Sequence, residues 1–462
     1  MPASPSTARA INDRLALRLL QQEGPLTATQ LKSLTGLSRP TVADLVERLQ
    51  GSGLVQVVGE AGEQRRGPNA RLYGIVADRA HLAALDVRTQ GVSVVVADLL
   101  GRTLAEATLP IGSDTGTGPA VERAAALLER TAREAGVARL HSVGIGAPGL
   151  IDPVTGELRD STGLPAWHRS LVAALQERLP ATVLVENETN LAAVAEQRLG
   201  AARDRDDFVL LWLGQGVGAA VVLGGKVRRG ASGGAGEVGF LPVPGTGGLP
   251  SATGCDGGFH ALAAAAAVRE LAVRYGIEGD AEAAVRTAAA SAGPDEVGER
   301  TNGPQAGPDG GGERTNGPQA GPDGGGARTN GPQAGPDGGC AGANGLQGTP
   351  GEGANGPRAA PLPYAPSPVD RSAAFLDALA DRLAIGAAAV AAVLDPGCVV
   401  LGGEIGHAGG PALATRVEAR VAALSPLHTV IRPAALGGQA VLRGALLTAR
   451  DAAQDDLFAP RP

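Results

Sequence analysis

The sequence predicts an α/β protein in which a large body follows a small α+β domain at the N-terminus. Three observations predict it. Strand-like and helix-like runs alternate along most of the chain, the pattern of an α/β layer structure rather than of separate all-α and all-β halves. Residues 1–76 instead give three short helical stripes and then two strand-like runs. A stretch of Gly, Pro, Asn and Asp from Gly293 to Pro368 interrupts the body, so that the α/β pattern occupies 77–292 and 369–455.

Within the N-terminal part, Ile11, Leu15, Leu17, Leu19 and Leu20 recur at helical spacing over Ile11–Gln21. Thr27 with Gln30 makes a capping box, and Ala28, Leu31 and Leu34 give the next helix a buried face that ends near Gly36. Ser38 caps a third helix, Pro40 fits its first turn, and Val42, Leu45, Val46 and Leu49 form its core face, with Arg39, Thr41, Asp44 and Arg48 directed outward. Two helices joined by a short Gly-containing turn, the second opening Ser-Arg-Pro-Thr, place a recognition helix for a DNA major groove. Strands Leu54–Val58 and Arg71–Ile75 bracket a polar tip with Arg65, Arg66 and Gly67, which fits a wing reaching phosphate or the minor groove. The candidate DNA-binding residues are therefore Ser38, Arg39, Pro40, Thr41, Arg48, Arg65 and Arg66. A three-helix module that binds protein is the alternative.

Charge agrees with that division. The 462 residues carry a net −7, but the first 75 carry +3 and the remainder −10, so only the N-terminal part suits a polyanion. Cys255, Cys340 and Cys398 are odd in number and far apart, which suggests neither a disulfide framework nor a Cys-x-x-Cys metal site. The Met-Pro-Ala-Ser-Pro start has no apolar leader and no run of about 18 apolar residues occurs, so a cytoplasmic protein without membrane attachment is expected.

In the body, apolar runs His81–Val87, Val92–Ala97, Val143–Gly146, Val183–Val185, Phe208–Leu213 and Val399–Leu401 read as strands. Gly118–Ala135, Trp167–Leu179, Leu191–Leu199, Gly258–Tyr275 and Ser372–Leu394 read as helices. Between them, three copies of a 14-residue repeat, two reading ERTNGPQAGPDGGG, run from Glu299 to Cys340. With so little apolar surface to bury, this insertion is expected to be disordered rather than a solenoid.

Six segments in order carry a family resemblance: Gly144-Ile145-Gly146-Ala147-Pro148-Gly149, Leu164-Pro165-Ala166-Trp167, Val185-Glu186-Asn187-Glu188-Thr189-Asn190, Gly214-Gln215-Gly216-Val217-Gly218, Gly230 to Glu237, and Leu401-Gly402-Gly403-Glu404. In combination they resemble the ROK family of repressors, open reading frames and kinases, and within it the winged-helix regulators of the xylose and N-acetylglucosamine repressor type. The resemblance covers all but the insertion and the extreme termini. It implies a two-lobed actin-like, sugar-kinase (ROK) fold preceded by a winged helix-turn-helix domain, with a sugar or sugar phosphate bound between the lobes. It also implies a double-stranded DNA operator as partner and a homodimer or dimer of dimers. The sugar contacts it implies are Asn187, Glu188, Glu237, Phe240 and His260. Asn187 and Glu188 equally suit the N-terminus of a helix, and Phe240 suits either a core aromatic or a platform for a pyranose ring.

Three departures bear on chemistry. Active members open their first phosphate loop with D-x-G-G-T, whose glycines let backbone N–H groups approach phosphate. The matching segment here is Asp86-Val87-Arg88-Thr89-Gln90. The Asp that serves as base is matched by Glu188, and a displacement of about 1 Å can cost on the order of a hundredfold in rate. The structural zinc of many members uses a His and three Cys that fall here on Phe240, Ser251, Thr253 and Gly258, with His260 in place of the following Glu, so no N/S tetrahedron can be built. The expectation is a regulator of carbohydrate genes with no zinc, no ATP chemistry and no catalytic residues. The alternatives are an ATP-dependent sugar kinase of the same family, which the Gly214–Gly218 and Leu401–Glu404 segments favour, and a ligand-free scaffold.

Overall fold

The computed structural model describes residues 5–61, 70–112, 114–159, 165–251, 257–292 and 367–459. The repeat insertion and the expected wing tip with Arg65, Arg66 and Gly67 lie outside them, as do Cys255 and Cys340. The C-terminal stretch of the body begins slightly earlier than expected, because Ser367 caps a helix with Asp370 in a capping box.

The N-terminal domain runs α1 (Pro5–Gln22), β1 (Leu26–Thr27), α2 (Ala28–Thr35), α3 (Arg39–Gly51), β2 (Val55–Ala61) and β3 (Ala70–Ile75). Its strands form one sheet in the order β1, β3, β2. The Thr27–Gln30 box closes α2 from both sides, and the Ser38 hydroxyl accepts the Thr41 N–H at the start of α3. Leu31, Val42, Leu45, Val46 and Leu49 are buried as the spacing predicts, but Ala28 is exposed and Leu34, Ile11 and Leu15 are 51, 58 and 39% exposed. The helical stripe in the sequence is wider than the face that this small domain can cover.

Two lobes of one topology follow. The first contains β4 (His81–Arg88), β5 (Gly91–Asp98), β6 (Thr103–Pro110), α4 (Thr117–Glu134), β7 (Ser142–Ala147), α5 (Trp167–Arg178) and β8 (Thr182–Asn187), and ends in α6 (Glu188–Leu199). The second contains β9 (Phe208–Leu213), β10 (Val217–Leu223), β11 (Lys226–Arg228), α7 (His260–Ala263), α8 (Ala265–Arg274), α9 (Ala281–Ala292), α10 (Pro368–Leu394), β12 (Cys398–Gly402), α11 (Gly403–Leu424) and β13 (Val430–Pro433), and ends in α12 (Ala440–Leu457). The sheets read β6-β5-β4-β7-β8 and β11-β10-β9-β12-β13. In each, three antiparallel strands are followed by two parallel ones. The single helix expected over Gly258–Tyr275 is broken at Ala264, whose extended ψ of 159° separates α7 from α8. No helix among the described residues is long and apolar enough to cross a membrane.

The last helix of each lobe packs across to the other. α6 lies on β9 and β10, while α12 lies on β4 and β7, and the two helices pack together. Between them is a small-residue core of Ala84, Leu191, Ala192, Val441 and Ala445. The backbones come so close that a Cβ on Gly144 would stand 2.2 Å from the Ala445 carbonyl oxygen, and one on Gly444 2.0 Å from that of Leu191. The first glycine of the Gly144–Gly149 segment therefore serves the packing of α12. The C-terminal half of α12 also carries the N-terminal domain: Ala16, Leu17 and Leu20 share a core with Ala449, Ala453 and Phe458, and Arg14 pairs with Asp455. Burying a leucine contributes about 1.5–3 kcal/mol, so this docking is a substantial contact and not a tether alone.

Candidate functional site: a reader helix and an interlobe cleft

On α3, Ser38, Arg39 and Pro40 are exposed at the helix start and Thr41 is half-buried, its hydroxyl 2.8 Å from that of Ser38. Arg39 has no ion-pair partner among the described residues. Arg48 departs from the outward orientation expected of it. Its guanidinium donates to Asp13 on α1 at 2.6 Å and also to Asp44, and these hydrogen bonds hold its pKa above the ordinary value. A residue so engaged braces α3 against α1, and the cation at the helix start with no ion pair among the described residues is Arg39.

The cleft is built where β4 ends, where α6 and α11 begin and where the Gly214–Gly218 turn joins β9 to β10. Asp86 is buried at the end of β4, with one carboxylate oxygen 2.8 Å from Arg88 Nε and the other, Oδ1, buried without a partner. Arg88 extends across to the second lobe, where it donates to Glu404 at 3.0 Å and to the Gly438 carbonyl at 3.2 Å. Glu404 in turn lies over the glycine-rich turn: a Cβ on Gly214 would be 2.6 Å from its Oε2. Glu188, the first residue of α6, faces the same group. Burial, reinforced by the charge of Asp86, pushes its pKa up to about 8 against the pull of Arg88. It is therefore mostly protonated at neutral pH and offers a hydroxyl as well as a carbonyl to a ligand. Burial likewise raises Asp86.

Asn187 is the N-cap of α6. Its Oδ1 accepts the N–H groups of Thr189 (2.8 Å) and Asn190 (3.4 Å), and its Nδ2 donates to the Gly149 carbonyl at 2.9 Å. Of the two readings open for it in the sequence, this geometry gives the cap. It aligns the helix whose first residue is Glu188 and ties it to the Gly144–Gly149 segment. Beside it, Glu186 accepts from Arg229 of the second lobe at 2.5 Å, a cross-cleft ion pair that sequence reasoning missed.

Phe240 and His260 form a second group, their rings 5.4 Å apart and nearly perpendicular. Phe240 is 38% exposed, which removes the fully buried core reading. His260 Nδ1 accepts the Val217 N–H at 3.2 Å, which fixes the proton on Nε2, and burial lowers its pKa. Glu237 lies three residues before Phe240 with its surface exposed, and desolvation by the surrounding protein raises its pKa. The glycine-rich turn thus touches both groups, Glu404 through Gly214 and His260 through Val217. Neither Phe240 nor Gly258 carries a nitrogen or sulfur donor, so the residues present do not fit the structural zinc, and no step runs through one. His168, on α5 of the first lobe, was missed as well. It is buried against Trp167, and burial, opposed by the Arg88 backbone, lowers its pKa to about 4 and holds it neutral.

Residues 82–293 and 367–452 match the model of the ROK family. The chain belongs to the ROK family. Residues 11–67 additionally match a model of the MarR family, across the domain that holds α3. Among curated proteins, the chain is 27% identical to the DNA-binding transcriptional dual regulator NagC of Escherichia coli K12 over 51% of this chain and 58% of NagC. It is 26% identical to the xylose repressor of Caldicellulosiruptor bescii over 51% of this chain and 59% of that protein. The chain thus spans somewhat over half the length of these curated relatives. A solved ROK family transcriptional regulator, a homologue of the E. coli MLC protein, superposes over 98% of both chains with a TM-score of 0.65 at 18% identity. The ROK glucokinase of Streptomyces griseus, solved with glucose and AMPPNP, superposes over 80% of this chain with a TM-score of 0.54 at 20% identity. At such identities the superpositions show the fold alone, over nearly the whole of this chain in the regulator and over the two lobes in the glucokinase.

Proposed function

We propose that the chain is a sequence-specific DNA-binding transcriptional regulator, a repressor of carbohydrate uptake or catabolism genes, controlled by a sugar or sugar derivative in the interlobe cleft and devoid of kinase activity. One observation carries this reading: an exposed Ser38-Arg39-Pro40 helix start sits on a domain docked to α12, the helix that also packs both lobes together. The similarity to NagC and to the xylose repressor supports it. A ligand that changes the lobe angle moves α12 relative to α6, and α12 bears the reader; a difference in ligand affinity between two lobe arrangements is all that the coupling requires. A homodimer would present two recognition helices to two half-sites. The loss of kinase chemistry rests on Arg88 and Glu404, which occupy the surroundings of both phosphate loops, and on a Glu188 that is largely protonated at neutral pH.

Mobility-shift titration against the chain's own upstream region, with N-acetylglucosamine, its 6-phosphate, D-xylose and D-glucose as probes, tests the reading. Arg39→Ala is expected to weaken binding about tenfold or more, as loss of a base or phosphate contact does, with the thermal shift from the active sugar intact. Phe458→Ala is expected to loosen the docked reader, reading out as faster protease cleavage near residues 76–80 and a smaller effect of sugar on DNA binding. A coupled ADP assay yielding more than about 1 turnover per second with any probe would point to the kinase instead.

A further inference from the structure

The cleft contains an arrangement that the regulator reading does not require. Arg88 leaves the end of β4 in the first lobe and bonds three groups at once: Asp86 in its own lobe at 2.8 Å, and Glu404 at 3.0 Å and the Gly438 carbonyl at 3.2 Å in the second lobe. Glu404 is the second residue of α11, and its carboxylate rests on Gly214, within 2.6 Å of where a Cβ would be. An internal carboxylate therefore occupies the bare backbone of the glycine-rich turn, and a guanidinium from the opposite lobe pins it there. Asp86 Oδ1, meanwhile, is buried without a hydrogen-bond partner, a condition that destabilises the closed arrangement by the desolvation of that oxygen.

We propose that Arg88 is an interlobe clasp: its bonds to Glu404 and Gly438 hold the two lobes together and close the glycine-rich turn to external anions. The three partners come from different parts of the chain and converge on one planar guanidinium, whose fork suits two carboxylates and a carbonyl where a lysine ammonium would not hold all three in one plane.

The chain's two tryptophans supply the test, because Trp212 is 8% exposed with its indole nitrogen beside Gly214. In the full chain carrying Trp167→Phe, Trp212 is the single reporter. Acrylamide quenching is expected to rise about twofold in Arg88→Ala and in Glu404→Gln, and amide exchange in residues 403–408 to accelerate about tenfold or more, with the rest of α11 unchanged. The double variant is expected to match Arg88→Ala, because once the guanidinium is gone Glu404→Gln has no clasp contact left to remove. Quenching and exchange that stay at the wild-type level in both single variants would overturn the proposal, as would single effects that add in the double variant. Should Arg88→Ala not fold, the near-isosteric Glu404→Gln carries both readouts alone.

Discussion

Gly444→Ala is expected to destabilise the protein by about 2–4 kcal/mol, and Gly444→Val to prevent accumulation of folded protein. The expectation reverses the usual sign. In a helix interior, replacing glycine by alanine normally stabilises by about 0.8–1 kcal/mol, because alanine has less backbone entropy to lose. Gly444 lies within α12, but a Cβ there would stand 2.0 Å from the Leu191 carbonyl oxygen and 2.5 Å from its carbon, both backbone atoms of α6 that no rotamer change can move aside. The two helices must separate, which opens the core of Ala84, Leu191, Val441 and Ala445 between the lobes, and overpacking of this kind costs about 1–3 kcal/mol or more. Gly51→Ala provides the control: at the end of α3 a Cβ would meet nothing within 4 Å, and that change is expected to be neutral or to stabilise by up to about 1 kcal/mol. Thermal unfolding of both variants checks the pair. If Gly444→Ala unfolds at or above the wild-type temperature, α6 and α12 are not packed as described, and the route from cleft to reader loses its middle element.

That route also shows what the sequence could and could not convey. Strands β4, β5, β7, β9 and β12 were legible because each is buried on both faces and reads as an unbroken apolar run. The starts of α2 and α3 were legible because Thr27, Gln30 and Ser38 are local signals whose partners lie three residues away. β6 escaped notice because it is an edge strand with one exposed face, and β10 because it leaves the glycine-rich turn, which reads as a loop. α12, the element on which the coupling turns, buries mostly small residues, among them Ala440, Gly444, Ala445, Ala449 and Ala453. Its buried face is shaped for close approach to α6 and not for bulk, so periodicity barely marks it. In the candidate site, the glycines missing from Asp86–Gln90 could be read directly. That Arg88 would reach Glu404, 316 residues further along the chain, could not, since nothing local pairs them. Arg48 failed for the same reason: an exposed position on a helical wheel says nothing of Asp13 on a neighbouring helix.

Glu188→Gln is expected to flatten the pH dependence of stability, and the sign follows from burial. The unfolded chain releases the Glu188 proton near the ordinary carboxylate value of 4.5, whereas the folded chain keeps it up to about 8. Between those limits the native state binds more protons than the unfolded state, so stability falls as pH rises, and the favourable contribution present below about 4.5 is lost through pH 8. Carried in full, a shift of that size corresponds to about 5 kcal/mol; with Arg88 nearby and the cleft partly hydrated, about 1–3 kcal/mol is expected in the measured curve. Asp86, raised by the same burial, titrates in the same sense and leaves a remainder in the variant. Glutamine keeps the length and a carbonyl acceptor but cannot ionise, so melting temperatures measured from pH 5.5 to 8.5 should decline several degrees less than in the wild type. The comparison also bears on chemistry. A carboxyl that remains protonated in the cleft at neutral pH presents a donor to a sugar oxygen, and must first lose that proton before it could take one from a sugar hydroxyl. Curves of equal slope in the two proteins would mean that Glu188 is already ionised in the native cleft, and with it would go the protonation argument against a surviving kinase reaction, leaving the Arg88 and Glu404 contacts to carry that case alone.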